Sequence, residues 1–532
     1  MNTNSNRLAA VLCALAIAGV GCGQRRPEYD RAFHVSGPLG LDHRLYFVDH
    51  SAGEIVALEP GSETRPPAAI RQPICAPAER VVPFPDRRGL AVLCPAVGRV
   101  AMVRDDPELV SVQVLDLPAP LGRLALSEDA AFALAFHDPE RPLDEDVFFS
   151  NPNEVALLDL RQEPPVVERM DLPDSGDQPR RVWFSPELSG GSDRARLAVV
   201  ATRTSATVLD LLEPQVGVTT IRLSADASSP REPVEALFGG PDVEPGGEVL
   251  FLRLAGSSDV YGVHRTPAGA GRTQPAYAVN IHSTSFTGST EDAELLYSAA
   301  GAPRLLLVRR AEAAARVIDV ASSTEVIVPL PEGVNRIQRI PASNGDRALL
   351  YRADGQSSSF YVLSVEGIED RLARNVEEVV LSDRIGAVSP SEAGDLAVIL
   401  AEHRRAVYLV DLVRPESSAY LRPERYEMTL APDQVAVSPE GSTFLALKRS
   451  GPARLGSLPL GSDSRRPQSQ TLDRPVEADG AGLILLPGAG VVAVDHGLDA
   501  GMVTLVPVDR IGDASAVRAA AGFMVRDLLD PR

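Results

Sequence analysis

The chain has 532 residues, more than one two-layer core ordinarily holds, so it either divides into domains or repeats a unit. Hydrophobic residues at 44% and charged residues at 23% exclude wholesale disorder, and 42 glycines with 44 prolines exclude a body of long helices. The formal net charge of −20 repels phosphate backbones and anionic headgroups, which sets nucleic acid aside as a partner.

The first element is an export signal. Arg7 precedes an apolar run over residues 8–20, too short to span a bilayer but suited to the hydrophobic region of a secretory signal. The run ends in Gly19-Val20-Gly21-Cys22, which resembles a bacterial lipobox without the usual leucine three places before the cysteine. Residues 1–22 are expected to be a lipoprotein signal ending at Cys22, the lipid-anchor residue, with 23–40 as a linker. An ordinary signal peptide with an incidental cysteine is the alternative. The expected location is the outer membrane or periplasm, with the cell surface as a further site, and membrane contact only through the lipid. Of the remaining cysteines, Cys75 and Cys94 form an even pair in an exported chain and are expected to be disulfide-bonded.

Along the chain, apolar strands of one character recur: RLYFVDH (44–50), GLAVLC (89–94), AAFALAFH (130–137), RLAVVATR (196–203), EVLFLRL (248–254), AELLYSA (293–299), RALLYRAD (347–354), DLAVILAE (395–402), TFLALKR (443–449) and GVVAVDH (490–496). Their centres step by 41 to 53 residues, with one step of 65 that holds the polar, Pro-rich stretch 137–153, read as a surface loop. Turns such as SPEG (438–441) or FPDRRG (84–89) precede these strands. A second apolar strand follows: VALLDL (155–160), TVLDLL (207–212), RVIDV (316–320), VYLVDL (407–412). A sheet of this kind has two apolar faces and buries neither alone, so neighbouring copies must cover each other.

The turn-strand grammar of VAVSPEGSTFLAL (435–447), with VYLVDL and ARVIDV, resembles the YVTN and WD40-like β-propeller repeat families over about residues 40 to 510. The Trp-Asp and Gly-His signatures of WD40 repeats are absent. The resemblance implies an all-β propeller of four-stranded antiparallel blades over 41–512. Ten repeat units are counted, but seven or eight blades are favoured because propellers commonly carry four to eight. The segment 513–532 is expected to be a capping helix, with Asp513 or Ser515 at its N-cap, or a strand that closes the ring.

Chemistry-bearing motifs are few. His-Glu-x-x-His, Gly-x-Ser-x-Gly, Ser-x-x-Lys, phosphate-cradling glycine loops and EF-hand loops are all missing, and no cofactor is expected. Four of the eight histidines, His50, His137, His403 and His496, end the same strand of their units. If the first and last units meet across the ring, Asp49, His50, Asp495 and His496 would gather there, and two imidazoles with two carboxylates could hold a divalent metal or move protons. The plainer reading is that a polar residue ends an apolar strand. The acidic runs at 142–149 and 288–294 read as solvated loops.

The functional expectation is a non-catalytic, monomeric envelope lipoprotein whose propeller binds an envelope protein or an extracellular ligand. The alternative is a lactonase-like hydrolase with a metal in the central channel, which requires carboxylates and histidines converging on the axis.

Overall fold

Ten four-stranded antiparallel sheets follow one another along the chain, each completed by one contiguous segment. The computed structural model describes residues 34–524 apart from 142–150, 174–177, 191–192, 215–217, 225–229, 240–246, 267–275, 343, 370–374, 392–395, 413–419, 429–430, 439–442, 450–452, 460–467, 473–475, 477–481 and 498–500. Numbered in chain order, blades one to ten span 35–73, 80–116, 123–171, 181–222, 233–282, 292–329, 336–380, 385–427, 434–471 and 483–521. Blade four carries a small extra hairpin, Leu188–Gly190 with Asp193–Ala195, between its first and second strands.

Burial grades across every sheet. Second strands such as Leu45–Asp49, Phe132–Phe136 and Val491–Asp495 are buried throughout, because a sheet sandwiched on both faces demands a continuous apolar run. First strands such as Arg80–Pro83 and Gln434–Val437 are only partly covered, and fourth strands such as Val110–Asp116 alternate toward solvent. The core is correspondingly divided into ten apolar clusters, one at each blade junction, the last joining blade ten to blade one. The sheets therefore stand radially, first strands innermost, around one axis.

The structure explains the recurrent turn. At the end of a first strand, Ser127, Ser185 and Ser438 each take the opening N–H of the second strand on Oγ, from Phe132 (2.9 Å), Leu197 (2.8 Å) and Thr443 (3.0 Å). In AVSPSEAG the latch is Ser391, two residues beyond Ser389, accepting from Leu396 N at 3.1 Å. The recurrent aspartate ending the third strand works the next turn, as Asp159, Asp210 and Asp319 accept backbone N–H groups two or three residues on.

Closure uses loop backbone and side-chain contacts, with no exchanged strand among the described residues. Asp42 O accepts from Ala489 N at 3.1 Å, and Arg71 Nη2 donates to Phe523 O at 2.6 Å. Gly40 sits where a Cβ would lie 2.3 Å from Ile484 Cγ2, so the two first strands meet only because a side chain is missing.

Three expectations are corrected. The ring has ten blades, as many as the repeat units counted; the preference for seven or eight rested on common propeller sizes and not on any residue. The sixth strand centre, in AELLYSA, belongs to a first strand, Asp292–Tyr297, and the buried second strand of that blade is Pro303–Val308. The linker ends earlier than residue 40, because Val35–Gly40 is already the first strand of blade one, concealed by its Gly-Pro content. In the tail, Asp513 caps only a 3-10 turn, Ala514–Ala516, and Arg518–Ala521 is the fourth strand of blade ten, followed by buried Phe523 and Met524. The signal with Cys22, the run at 142–149 and residues 525–532 lie outside the described residues. Among the described residues no helix is long and apolar enough to cross a membrane.

Candidate functional site

The pairs singled out from the sequence do lie on neighbouring blades, one and ten. Asp49 Oδ1 accepts from Ser51 N, Ser51 Oγ and Ala52 N at 2.8 to 3.0 Å, which caps its own hairpin. His50 is 6% exposed, with Nδ1 2.8 Å from Ala78 O and its ring 4.7 Å from that of His34. Asp495 Oδ1 accepts from Gly497 N, and His496 Nε2 lies 2.8 Å from Thr504 Oγ1. Among the described residues no three His, Cys, Asp or Glu side chains are grouped to hold a metal ion, so these four do not assemble one. His137 is also buried, and desolvation lowers its pKa, while the more exposed His403 pairs with Asp383 at 3.0 Å. Cys75 and Cys94 are bonded, with Cα atoms 6.0 Å apart, and the bridge ties the link after blade one to the second strand of blade two.

The concentration of ionisable groups on the inner strands lies elsewhere, on blades five to seven. Glu235 is on Pro233–Phe238, Asp292 and Glu294 are on Asp292–Tyr297, and Arg336 and Arg339 are on Arg336–Ile340. These are three successive first strands. Within the blade-five sheet, Glu235 Oε2 accepts from Arg253 Nε at 2.7 Å, and Arg253 Nη1 reaches Thr290 O at 3.0 Å on the approach to blade six. Asp292 Oδ2 accepts from Ile337 N at 2.8 Å, which joins the inner strands of blades six and seven. Arg339 Nε donates to Asp346 Oδ2 at 2.8 Å, with its guanidinium 5.2 Å from the Tyr297 ring centroid.

The electrostatics of this wall are strained in one direction. Burial raises the pKa of Glu235 and of Asp292, and the Asp292 carboxylate adds to the rise at Glu235. Glu294 is pushed up to about 7, first by burial and also by Glu235 and Asp292, against the pull of Arg339. Burial likewise raises the Tyr351 phenol beside Arg336 and Asp292. Partly desolvated acids facing arginines can pair with a ligand's own charges or hydrogen-bonding groups. No histidine belongs to this set.

The run 288–294, expected as a solvated loop, ends in a strand in which Asp292 and Glu294 are half-buried. The overlooked signal is alternation, since VEALF, DAELLY and RIQRI place charges at apolar positions in three consecutive first strands.

The fold is that of a β-propeller of four-stranded antiparallel blades. No family model matches the chain, and no curated protein matches it. Similar solved structures include dihydro-heme d1 dehydrogenase NirN in complex with DHE (12% identity, TM-score 0.38, covering 83% of this chain and 75% of that one). Apo AztD from Citrobacter koseri is another (12%, 0.36, 73% and 95%), as is a eukaryotic initiation factor (9%, 0.44, 87% and 92%).

Proposed function

We propose that this chain is an exported cell-envelope lipoprotein, anchored through Cys22, whose ten-bladed ring presents on its inner strands a rigid non-catalytic platform for a protein or extracellular ligand. The binding wall is the inner-strand sector of Glu235, Asp292, Glu294, Arg336 and Arg339. One observation carries this reading: carboxylates held in a partly desolvated setting that raises their pKa, on strands that face the axis and are not fully covered. Such an arrangement costs desolvation energy, while the bulk of the blade junctions is filled by the apolar clusters. A lactonase-like metal hydrolase has no metal-ligand group in its favour among the described residues.

A photo-crosslinking residue in place of Gln338, which lies between Arg336 and Arg339, tests the platform in the lipidated protein within envelope membranes. A defined crosslinked species is expected, reduced at least tenfold when Glu294→Gln and Arg339→Gln are combined. Crosslinking that is absent, or indifferent to those changes, overturns the reading. Labelled palmitate should enter the wild type and not Cys22→Ser.

A further inference from the structure

At the outer rim, where the fourth strand of blade five ends and that of blade six begins, three side chains line up. His282 closes the strand Ala276–His282, and Ser323 sits in the turn just before Thr324–Pro329. His282 Nδ1 is 3.4 Å from Ser323 Oγ, and its Nε2 is 2.6 Å from Glu248 Oε2. The histidine and glutamate side chains are 0% and 2% exposed, whereas Ser323 is exposed in a left-handed turn conformation at φ 55°. The order is exposed hydroxyl, buried imidazole, buried carboxylate.

The carboxylate reaches the histidine by an unusual route. Glu248 starts the second strand of its blade, and its side chain crosses the third strand over Gly262, where a Cβ would lie 2.5 Å from its Cδ. Only glycine leaves that passage open. Once across, the carboxylate also meets Asn280 Nδ2 at 3.2 Å and His264 Nε2 at 3.1 Å. An ionised carboxylate only accepts hydrogen bonds, so the 2.6 Å contact places a proton on His282 Nε2. In the neutral ring Nδ1 then carries the lone pair, and it faces the Ser323 hydroxyl.

We propose that Ser323 is a nucleophile activated by His282, with Glu248 as the positioning residue, and that it takes acyl groups from small neutral carboxylic esters. Ser323 Oγ attacks the carbonyl carbon while its proton passes to Nδ1. The ester C–O bond breaks, and the alcohol leaves with that proton. Water, deprotonated by the same nitrogen, then releases the acid and restores the hydroxyl. The substrate class follows from the surroundings. The net charge of −20 opposes anionic substrates, and the strand that follows Ser323 carries a half-exposed Ile327 four residues on, toward which an acyl chain can extend. This site is on the outer strands, separate from the charged inner wall, and stands independently of its ligand.

The test uses a fluorophosphonate probe on the purified protein, with peptide mapping by mass spectrometry, alongside hydrolysis of p-nitrophenyl butyrate. Covalent labelling at Ser323 is expected in the wild type and in Ser322→Ala, with none at this position in Ser323→Ala. Ester hydrolysis should fall at least tenfold in Ser323→Ala. Glu248→Gln should slow labelling at least tenfold at pH 7.5, because the amide can donate to Nε2 and favours the ring tautomer with its proton on Nδ1. Circular dichroism checks that this variant is folded, and the exposed Ser323→Ala gives a readout independent of it. No label on Ser323, or hydrolysis unchanged in Ser323→Ala, overturns the proposal.

Discussion

Phe47 of blade one and Phe523, just beyond the last strand of blade ten, meet with ring centroids 4.9 Å apart, so opposite ends of the described chain are packed together. Around them lie Leu45, Val56, Val491 and Leu505, which make this junction an apolar core like the other nine. Arg71 holds the Phe523 carbonyl, and Arg510 pairs with Glu63 across the same seam.

Phe523→Ala should therefore cost about 3 kcal/mol, the usual loss for a phenylalanine removed from a core. Equilibrium urea unfolding would report it, and limited proteolysis should first cut near the blade-ten end. A change under ~0.5 kcal/mol would mean that the seam is held elsewhere.

The junction of blades one and two carries a buried ionic knot. Arg44 Nη1 donates to Asp105 Oδ1 at 2.8 Å, Tyr46 Oη to the same oxygen at 2.7 Å, and His43 N to Asp105 Oδ2 at 3.1 Å. Arg44 also reaches Glu59 and the carbonyls of Asp106 and Pro107. Burial, with Asp105 adding to it, drives the Tyr46 phenol far above its ordinary range. Asp105→Ala leaves Arg44, at 2% exposure, with Glu59 as its one carboxylate partner and unpairs the Tyr46 hydroxyl, and should destabilise by about 3 kcal/mol, whereas Tyr46→Phe should cost about 1 to 2 kcal/mol. Thermal melts of the two variants should rank in that order.

Cys75 and Cys94 close a loop of sequence separation 19 between blades one and two. Replacing both with serine should lower stability by about 3 kcal/mol, and dithiothreitol should lower the wild-type midpoint while leaving the double variant unmoved.

Glu294 makes stability depend on pH. Its folded pKa of about 7 lies above the unfolded value near 4.5, so between the two the native state holds more protons than the unfolded chain. Stability then falls as pH rises through that window, and the penalty is complete above about pH 7, bounded by about 3 kcal/mol. Glu235 and Asp292 act in the same direction. Glu294→Gln should flatten the decline in urea midpoint between pH 5 and 8; an unchanged slope would locate the effect in other groups.

Much of the fold is legible because second strands are buried on both faces, so LYFV, LAVLC and FLAL are written as apolar runs that recur at blade spacing. Nine of the ten centres read from the sequence are second strands. The sixth slipped because DAELLY and PRLLLV are both leucine-rich and adjacent, and only burial separates them. The disulfide partners were readable from cysteine count. The site was not: Asp49 and Asp495 serve as hairpin caps, a local role that looks the same in sequence as a ligand pair. Glu235, Glu294 and Arg339 belong to separate repeats and become neighbours only through the radial stacking. Ser323, His282 and Glu248 are more dispersed still, and their meeting depends on the passage at Gly262, which no spacing rule describes.

Among the described residues blades one and ten share no sheet, which has an evolutionary and engineering corollary. Every wedge is self-sufficient in strands, so an in-frame duplication or deletion of one unit leaves no half-built sheet behind. New chain termini placed in a link between two wedges would likewise divide no sheet. The size of the ring can thus drift by whole units, with only the fit of side chains at the seam deciding which sizes survive.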